Sequence, residues 1–497
     1  MATVNTEKKD PTTAESISAL RHTPVTPGVD HEVGSIIELD DPAEKRVIRK
    51  IDINLITLFG ALYLMNFLDR ANIGNANLTG FSTDLGLINN QYGAAVSVVY
   101  STYVVFEPFW TVLLKILRPK YLLTASTVCW SALTIGTAFT KNFNQLVAVR
   151  VLLGCVEAAI IPCITMYISM TYNRDEYAIR ATYIFCASAI SGAFGGLLAY
   201  GLTQINAGGL HGWQWMHRPT RYIVEGIISA ILIPITFVWL PNSVNEAVWL
   251  NREEKTLMAK RIDRNRGVYD PNEEFSRGEI VRCLKDWKLW VQAVSHFGID
   301  TTLYALSMYL PIAGLGFTSS VNSQLLTVPV YFIAAVSYLL LGRLSDRFRN
   351  RSTFLLLALT SCLIGYIILI ASPSVGVRYW GVFMVAIGLY ATTSLNVVWC
   401  ASNHAGYFKR AFATGFIQLV GNSSGAAIGF IFTTQSAPRY LEGMYFALGM
   451  TIMSMVLTAG MSFFLRLGNR EKKRMVAEGQ PDQPELGDRN PHFLYYE

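Results

Sequence analysis

The chain has 497 residues, of which 52% are hydrophobic and only 15% charged, with a net charge of +6 at pH 7. Soluble domains carry about 25% charged residues, so this balance excludes an ordinary soluble protein, and the small positive excess calls for no nucleic-acid partner. Seven cysteines are scattered along the chain without CxxC or Cys/His ligand spacing, so neither metal nor cofactor is expected and they read as small apolar core residues.

Residues 1–50 are polar and rich in Thr, Ser, Glu and Pro. They lack the apolar core of a cleavable signal peptide and read as a disordered cytosolic tail, with Asp41 to Lys50 a short charged helix leading to the membrane. Twelve apolar stretches of membrane length follow, at 53–72, 91–116, 121–140, 145–171, 181–203, 222–240, 289–311, 323–344, 353–372, 379–401, 411–433 and 441–466. The charged connection 241–288, with Glu253, Glu254, Lys255, Lys260 and Arg261, reads as cytosolic surface helices. It separates an N-terminal half, 51–240, from a C-terminal half, 289–466. The segment 467–497 reads as a second cytosolic tail, similar to the first.

With both tails inside, the short inner loops carry Lys115, Arg118, Lys120, Arg174, Arg180, Arg343, Arg347, Arg349, Arg351, Lys409 and Arg410. The outer loops carry fewer: Lys141, Arg218, Arg221, Arg378 and Arg439. This bias supports the orientation. The fifth stretch holds Gly192, Gly196 and Gly201, and the eleventh, six later, Gly421, Gly425 and Gly429. Spacing of four aligns glycines on one helix face for close packing, and the recurrence suggests a duplicated bundle. The expected fold is an all-α membrane protein of twelve transmembrane helices in two six-helix halves, with a solute site between them.

Charges inside these stretches mark that site. Asp69 and Arg70 end the first, Arg150 and Glu157 lie in the fourth, and Asp300 interrupts the seventh. A charge at the bilayer centre costs about 2.5–3.5 kcal/mol on insertion scales, so such residues face a cavity, a partner or a solute. From helical rise, Asp69 lies about 24 Å up a roughly 30 Å core, Arg150 about 9 Å and Glu157 about 20 Å down from the outer side. Arg150 and Glu157, two turns apart, share a face. Asp69 and Arg70 are adjacent and need different partners. Asp300 lies about 16 Å into its helix, with His296 and Tyr304 four residues to either side. Asn396, Gln418 and Asn422 are neutral hydrogen-bonding positions in the tenth and eleventh stretches. Glu107-Pro108 reads as a structural contact low in the second.

In the functional reading, Arg70 binds a substrate carboxylate, for which a guanidinium offers a matching fork of donors. Asp69 and Glu157 carry coupled protons, because a buried carboxyl takes up a proton more readily than an exposed one. Arg150 compensates whichever acid is ionised, and His296 and Asp300 set substrate polarity or move protons. The competing reading is a static ion-pair network that orients the helices, with Arg70 snorkelling outward. Asn77-Leu78-Thr79 is a glycosylation sequon in the first outer loop. Asn350-Arg351-Ser352 and Asn422-Ser423-Ser424 also fit, but fall inside and within a helix.

The connection Gly342-Arg343-Leu344-Ser345-Asp346-Arg347-Phe348-Arg349-Asn350-Arg351 resembles the cytoplasmic signature of the major facilitator superfamily. That resemblance implies a gating role for Gly342, Asp346, Arg347 and Arg351. The corresponding loop of the first half, Leu114 to Lys120, has no acid. Phe67 to Ala76, Arg150 to Ala158, Ser191 to Gly201, Leu325 to Pro329 and Ser436 to Tyr440 are similar to motifs of the anion:cation symporter family, in its fungal branch of allantoate, nicotinate, pantothenate and biotin permeases. His217-Arg218-Pro219-Thr220-Arg221 departs from that pattern as an insertion. The resemblance implies a monomeric plasma-membrane protein that imports a small organic anion with protons and has only lipid as a further partner. Export or intracellular carriage of an acidic secondary metabolite is the alternative, and a non-transporting nutrient sensor another. No GxxxxGK[ST] loop or nucleophile–base constellation points to an enzyme.

Overall fold

A backbone in hydrocarbon must satisfy its own hydrogen bonds, and apolar runs broken only by isolated prolines do so as helices. The computed structural model describes residues 42–77, 81–88, 90–113, 117–172, 174–203, 218–265, 277–309, 325–348, 350–433, 436 and 439–497, and the repetitive elements among them are all helical. α1 (Pro42–Ile51) continues through a π-helical turn, Asp52–Ile56, into α2 (Thr57–Asn77). Then come α3 (Gln91–Leu113), α4 (Pro119–Thr137), α5 (Phe143–Glu157), α6 (Ile160–Thr171), α7 (Arg174–Thr203) and α8 (Arg218–Trp239). The connection holds α9 (Arg252–Asn265) and α10 (Arg277–Leu284). The second half has α11 (Trp287–Tyr304), α12 (Thr327–Phe348), α13 (Arg351–Ala371), α14 (Val375–Asn403), α15 (Tyr407–Ile431) and α16 (Leu441–Ala477).

Among the described residues, eight helices are long and apolar enough to cross a membrane. The other expected spans fall on α3, α4, α11 and α15, which are helical but outside that set. Three helices start where a short polar side chain can accept from a free amide. Asn142 accepts from Gln145 N, Asp286 from Lys288 N and Asn350 from Thr353 N. The suspected insertion divides: Arg218–Arg221 forms the first turn of α8, and His217 lies outside the described residues.

The expected span 145–171 corresponds to one candidate membrane crossing, Phe143–Ile168, with a local break in its helical hydrogen bonding. α5 ends at Glu157 and α6 begins at Ile160. Pro162 has no N–H to give the Ala158 carbonyl one turn earlier, so the ladder breaks locally below Glu157 while Ala158 and Ala159 keep right-handed helical backbone.

The apolar core is arranged around the contact between the halves. One buried cluster includes Tyr100, Phe185 and Ala189 from the first half and Tyr304, Ala335 and Tyr338 from the second. A second cluster joins the first half to α1 and the central connection, and a third lies among second-half helices. α3 packs on α15 and α7 on α12. A Cβ on Gly429 would come within 2.1 Å of the Gly93 carbonyl oxygen, and one on Gly192 within 2.6 Å of the Tyr331 ring. The glycines let the halves approach to backbone contact.

The expectation of a loose C-terminal tail is corrected. α16 runs to Ala477, and the chain then folds back across the ends of the second-half helices. Asp488 lies 2.5 Å from Lys288 and 2.6 Å from Lys409, and Lys409 also reaches Asp286 at 2.9 Å. Trp399 Nε1 donates to the Tyr496 carbonyl at 2.8 Å, and Asn403 and Asn469 each bond the backbone of Tyr496 and Tyr495 in both directions. Lys288 and Lys409 are only 4% and 7% exposed. Amines are tolerated at such burial because carboxylates neutralise them. Burial pushes the Asp488 carboxyl up, but the Lys288 and Lys409 charges outweigh it and hold it well below the usual range.

Candidate functional site

α2 and α5 bring Arg70 to Glu157. Arg70 Nε donates to Glu157 Oε2 at 2.7 Å, and a second guanidinium nitrogen donates to Asn66 Oδ1 at 3.0 Å. The pair is buried, with Arg70 6% and Glu157 0% exposed. The guanidinium lies 4.4 Å from the centre of the Tyr103 ring on α3, a cation–π distance. Arg70 therefore does not snorkel to the surface. It is held by a carboxylate, an amide and an aromatic face.

Asp69 points away from this pair, as its position beside Arg70 demands. Its Oδ2 accepts from Trp130 Nε1 and, at 3.1 Å, from Thr134 Oγ1 on α4. Arg150 is 2% exposed and donates to Tyr222 Oη at 3.3 Å. Its charge reaches Glu157, two turns on along α5. Asp69 and Arg70 thus face different partners, Asp69 towards α4 and Arg70 towards Glu157 on α5.

The second half contributes two polar groups, one around His296 and one around Asn422. His296 Nε2 lies 2.8 Å from Gln418 Oε1, and His296 Nδ1 lies 3.1 Å from Asn396 Nδ2. Both ring nitrogens of His296 are thus within hydrogen-bond distance of side-chain amides. Asp300 Oδ2 stands 3.6 Å from His296 Nε2. Tyr304 Oη donates to Asn422 Oδ1 at 2.8 Å, and Asn422 Nδ2 donates to Glu107 Oε2 at 3.4 Å across the interface between the halves. A Cβ at Gly421 would sit 2.4 Å from Asp300 Oδ2, so the close approach of α15 to Asp300 at this position requires a glycine.

The two halves meet here at an aromatic wall. The rings of Tyr100 and Tyr304 are 4.3 Å apart between centres. Tyr63 and Tyr100 lie within electrostatic reach of both Arg70 and Asp300. A buried cation, a histidine, amides and flat tyrosines therefore converge between the halves. This donor-rich, aromatic setting suits a small planar anion.

Asn66, Tyr100 and Tyr103 escaped the sequence reading, because their place in the site is set by helices distant in the chain. Glu225, fully buried on α8, did carry one: it is an acid inside the stretch 222–240.

In the gating signature, Asp346 pairs with Arg351 at 3.3 Å, while Arg347 is exposed. Gly342 faces α7, where its Cβ would be 3.1 Å from Thr182 Cγ2, and Arg343 donates to Tyr183 Oη at 3.2 Å. Signature residues therefore touch the opposite half. The sequon Asn77-Leu78-Thr79 extends beyond the described residues, and nothing of the Asn77 side chain is described.

The family model of the Major Facilitator Superfamily matches residues 59–430. The chain is 39% identical over 462 residues to a high-affinity nicotinic acid transporter of Saccharomyces cerevisiae, covering 91% of this chain and 85% of that protein. It is 30% identical to the major facilitator-type transporter hxnP of Emericella nidulans, over 93% of this chain and 94% of that one. Its fold is similar to that of the proton:xylose symporter XylE bound to 6-bromo-6-deoxy-D-glucose, with a TM-score of 0.65 at 14% identity, covering 84% of this chain and 96% of that one. The chain belongs to the major facilitator superfamily and is a membrane transporter.

Proposed function

We propose that the protein takes up a small organic anion together with protons across the plasma membrane, and that the solute is a planar carboxylate of the pyridine-carboxylate class. The observation that carries this reading is the buried Arg70–Glu157 pair facing a tyrosine-lined region between the halves. The similarity to a nicotinic acid transporter supports the solute class.

Among the described residues, the acid paired with Arg70 is Glu157. A proton on Glu157 removes that counterion and leaves the guanidinium fork to a substrate carboxylate, where two parallel N–H···O bonds are available. Binding of substrate and protonation of Glu157 then favour each other, which is the reciprocity symport requires. Asp69 is a second proton carrier. His296, Asn396, Gln418, Tyr304 and Asn422 supply polar contacts around the solute, and Asp300 disfavours a second anion. Arg150 keeps the local charge balanced when Glu157 is ionised. The Asp346–Arg351 pair at the signature loop is part of the gate.

Uptake of labelled nicotinate by cells lacking their own uptake tests the proposal. Saturable uptake that rises with external acidity, collapses with a protonophore and excludes the neutral amide is expected. Equal uptake of nicotinamide, or no effect of the protonophore, contradicts it.

A further inference from the structure

We propose that Glu107 is a positioning residue of the solute site: through the Asn422 amide, a proton on its carboxyl decides whether the Tyr304 hydroxyl is free to donate to the solute carboxylate. This role rests on the uptake reading above and adds to it a proton-linked residue at the contact between the halves.

Glu107 lies on the face of α3 that carries the aromatic wall. Tyr100, Tyr103 and Glu107 follow one another at steps of three and four, which puts them on one side of a helix. α15 runs antiparallel along this face. Gly93 backs onto Gly429, the Tyr100 ring onto Gly425, and Asn422 Nδ2 donates to Glu107 Oε2 at 3.4 Å. The register of the two helices thus sets the carboxyl and the amide opposite each other. Tyr304 Oη donates to Asn422 Oδ1 at 2.8 Å. The Tyr304 ring lies 4.3 Å from that of Tyr100, and Tyr103 is the ring against the Arg70 guanidinium. One amide therefore bridges an acid of the first half and a phenol of the second, beside the cation assigned to the solute carboxylate. Glu107 and Tyr304 are buried, and Asn422 is partly so.

Arg70 on α2 and Asp300 on α11 are charged groups that reach Glu107, and the titratable Tyr103 lies one turn before it on α3. α5 brings Arg150 and Glu157 within reach of Tyr100 on the same helix. α6, which also packs on α3, has no charged residue. α15 has Lys409 and Arg410 in its first turn, with Lys409 held by Asp286 and Asp488.

An amide has a donor end and an acceptor end, and a carboxylate only accepts. With Glu107 ionised, the NH₂ of Asn422 must face it, Oδ1 faces Tyr304, and the phenol directs its one proton to that oxygen. Tyr304 then shows only lone pairs to a solute anion. A proton on Glu107 makes its carboxyl a donor. The amide then turns over: Oδ1 accepts from Glu107, Nδ2 donates to Tyr304 Oη, and the phenolic O–H is released to the solute carboxylate. The proton adds at one Glu107 oxygen, and no other covalent bond changes. Anion binding and protonation of Glu107 thereby favour each other.

The test is equilibrium binding of labelled nicotinate to the purified full-length protein at mildly acid and mildly alkaline pH. Wild type, Tyr304→Phe, Glu107→Gln and the double variant are compared, and the readout is the affinity lost on Tyr304→Phe. Comparing this loss, rather than the affinity, removes the contribution of Glu157 to the pH profile. With Glu107 in place the loss is expected to be about tenfold at acid pH, in the range of one hydrogen bond to a charged group, and to vanish at alkaline pH. Glutamine at 107 offers a donor at every pH, so in that background the loss is expected at both. An equal loss at both pH values with Glu107 in place overturns the proposal, and this comparison does not depend on the folding of Glu107→Gln. A pH-dependent loss that persists in Glu107→Gln overturns it as well. Wild type that binds no nicotinate at either pH contradicts the uptake reading itself. Wild type that binds it, with a Tyr304→Phe loss indifferent to pH, contradicts the role of Glu107 alone.

Discussion

Arg70 and Glu157, 87 positions apart, meet at 2.7 Å in the interior, while Asp69, next to Arg70 in the chain, faces α4. One helix therefore carries a buried cation and a buried acid side by side, turned to different partners. In the proposed mechanism the cation binds the carboxylate and the acid carries a proton.

Replacing Arg70 tests the first of these roles. Arg70→Ala and Arg70→Lys are both expected to abolish carboxylate uptake with the protein still at the cell surface. Removing one partner of a buried charged hydrogen bond costs about 2–5 kcal/mol. Lysine restores the charge but not the planar fork or the stacking on Tyr103. Uptake with normal affinity in Arg70→Lys removes the fork from the account.

Glu157→Gln mimics the protonated acid. It is expected to make uptake independent of external pH while exchange of labelled for unlabelled substrate continues. An unchanged pH profile in whole-cell uptake contradicts the role given to Glu157.

Gly421→Ala tests the approach of α15 to the His296–Asp300 pair. The added methyl would stand 2.4 Å from Asp300 Oδ2 and 2.5 Å from His296 Cδ2. Overpacking of this kind costs about 1–3 kcal/mol, so lower thermal stability and slower transport are expected together. Gly415→Ala on the same helix, where a Cβ meets nothing within 4 Å, is the control and leaves both measurements at wild-type levels.

The folded C-terminal segment is a stability element. Asp488→Asn leaves Lys288 and Lys409 short of a buried counterion, and breaking such a pair costs about 3–5 kcal/mol. Thermal unfolding in detergent is expected at clearly lower temperature. An unchanged midpoint shows that the segment contributes nothing to the fold.

Acid weakens the same region. Burial, with Lys288 nearby, pushes the His404 imidazole down to about 4, and Asp488 is also held below its ordinary value. In both cases the unfolded chain takes up the proton first. His404 contributes stability above its ordinary value near 6.5 that is lost as pH falls towards 4, and Asp488 adds a further loss below about 4. Thermal midpoints measured from pH 7.5 downward are expected to fall steadily. His404→Gln is expected to flatten the part of the decline between about 6.5 and 4.

Much of the site was legible because ionisable groups in apolar runs are costly and therefore informative. Arg70, Glu157, Asp69, Asp300 and His296 stand out by that rule alone, and helical spacing correctly separates the faces of Asp69 and Arg70. The four-residue glycine spacing likewise anticipates close packing, with Gly192 and Gly429 at contacts between the halves. Glu225 passes the same test, but it lies only three residues inside its stretch, where a charge reads as a headgroup contact. Asn66, Tyr100 and Tyr103 act through positions set by distant helices, which no local pattern encodes. The C-terminal segment reads as disordered because it is polar and rich in Pro and Gly. Its order comes from lysines and asparagines on α11, α14, α15 and α16, which supply the partners its own composition lacks.

The central claim is that an acid solute and H⁺ enter together through the Arg70–Glu157 pair. Its most direct test is the luminal pH of proteoliposomes carrying a trapped pH indicator, after nicotinate is added outside, with protein-free vesicles subtracted. Luminal acidification in step with nicotinate entry is expected for wild type and not for Glu157→Gln. Nicotinate entry into wild-type vesicles with no accompanying change of luminal pH would contradict the account.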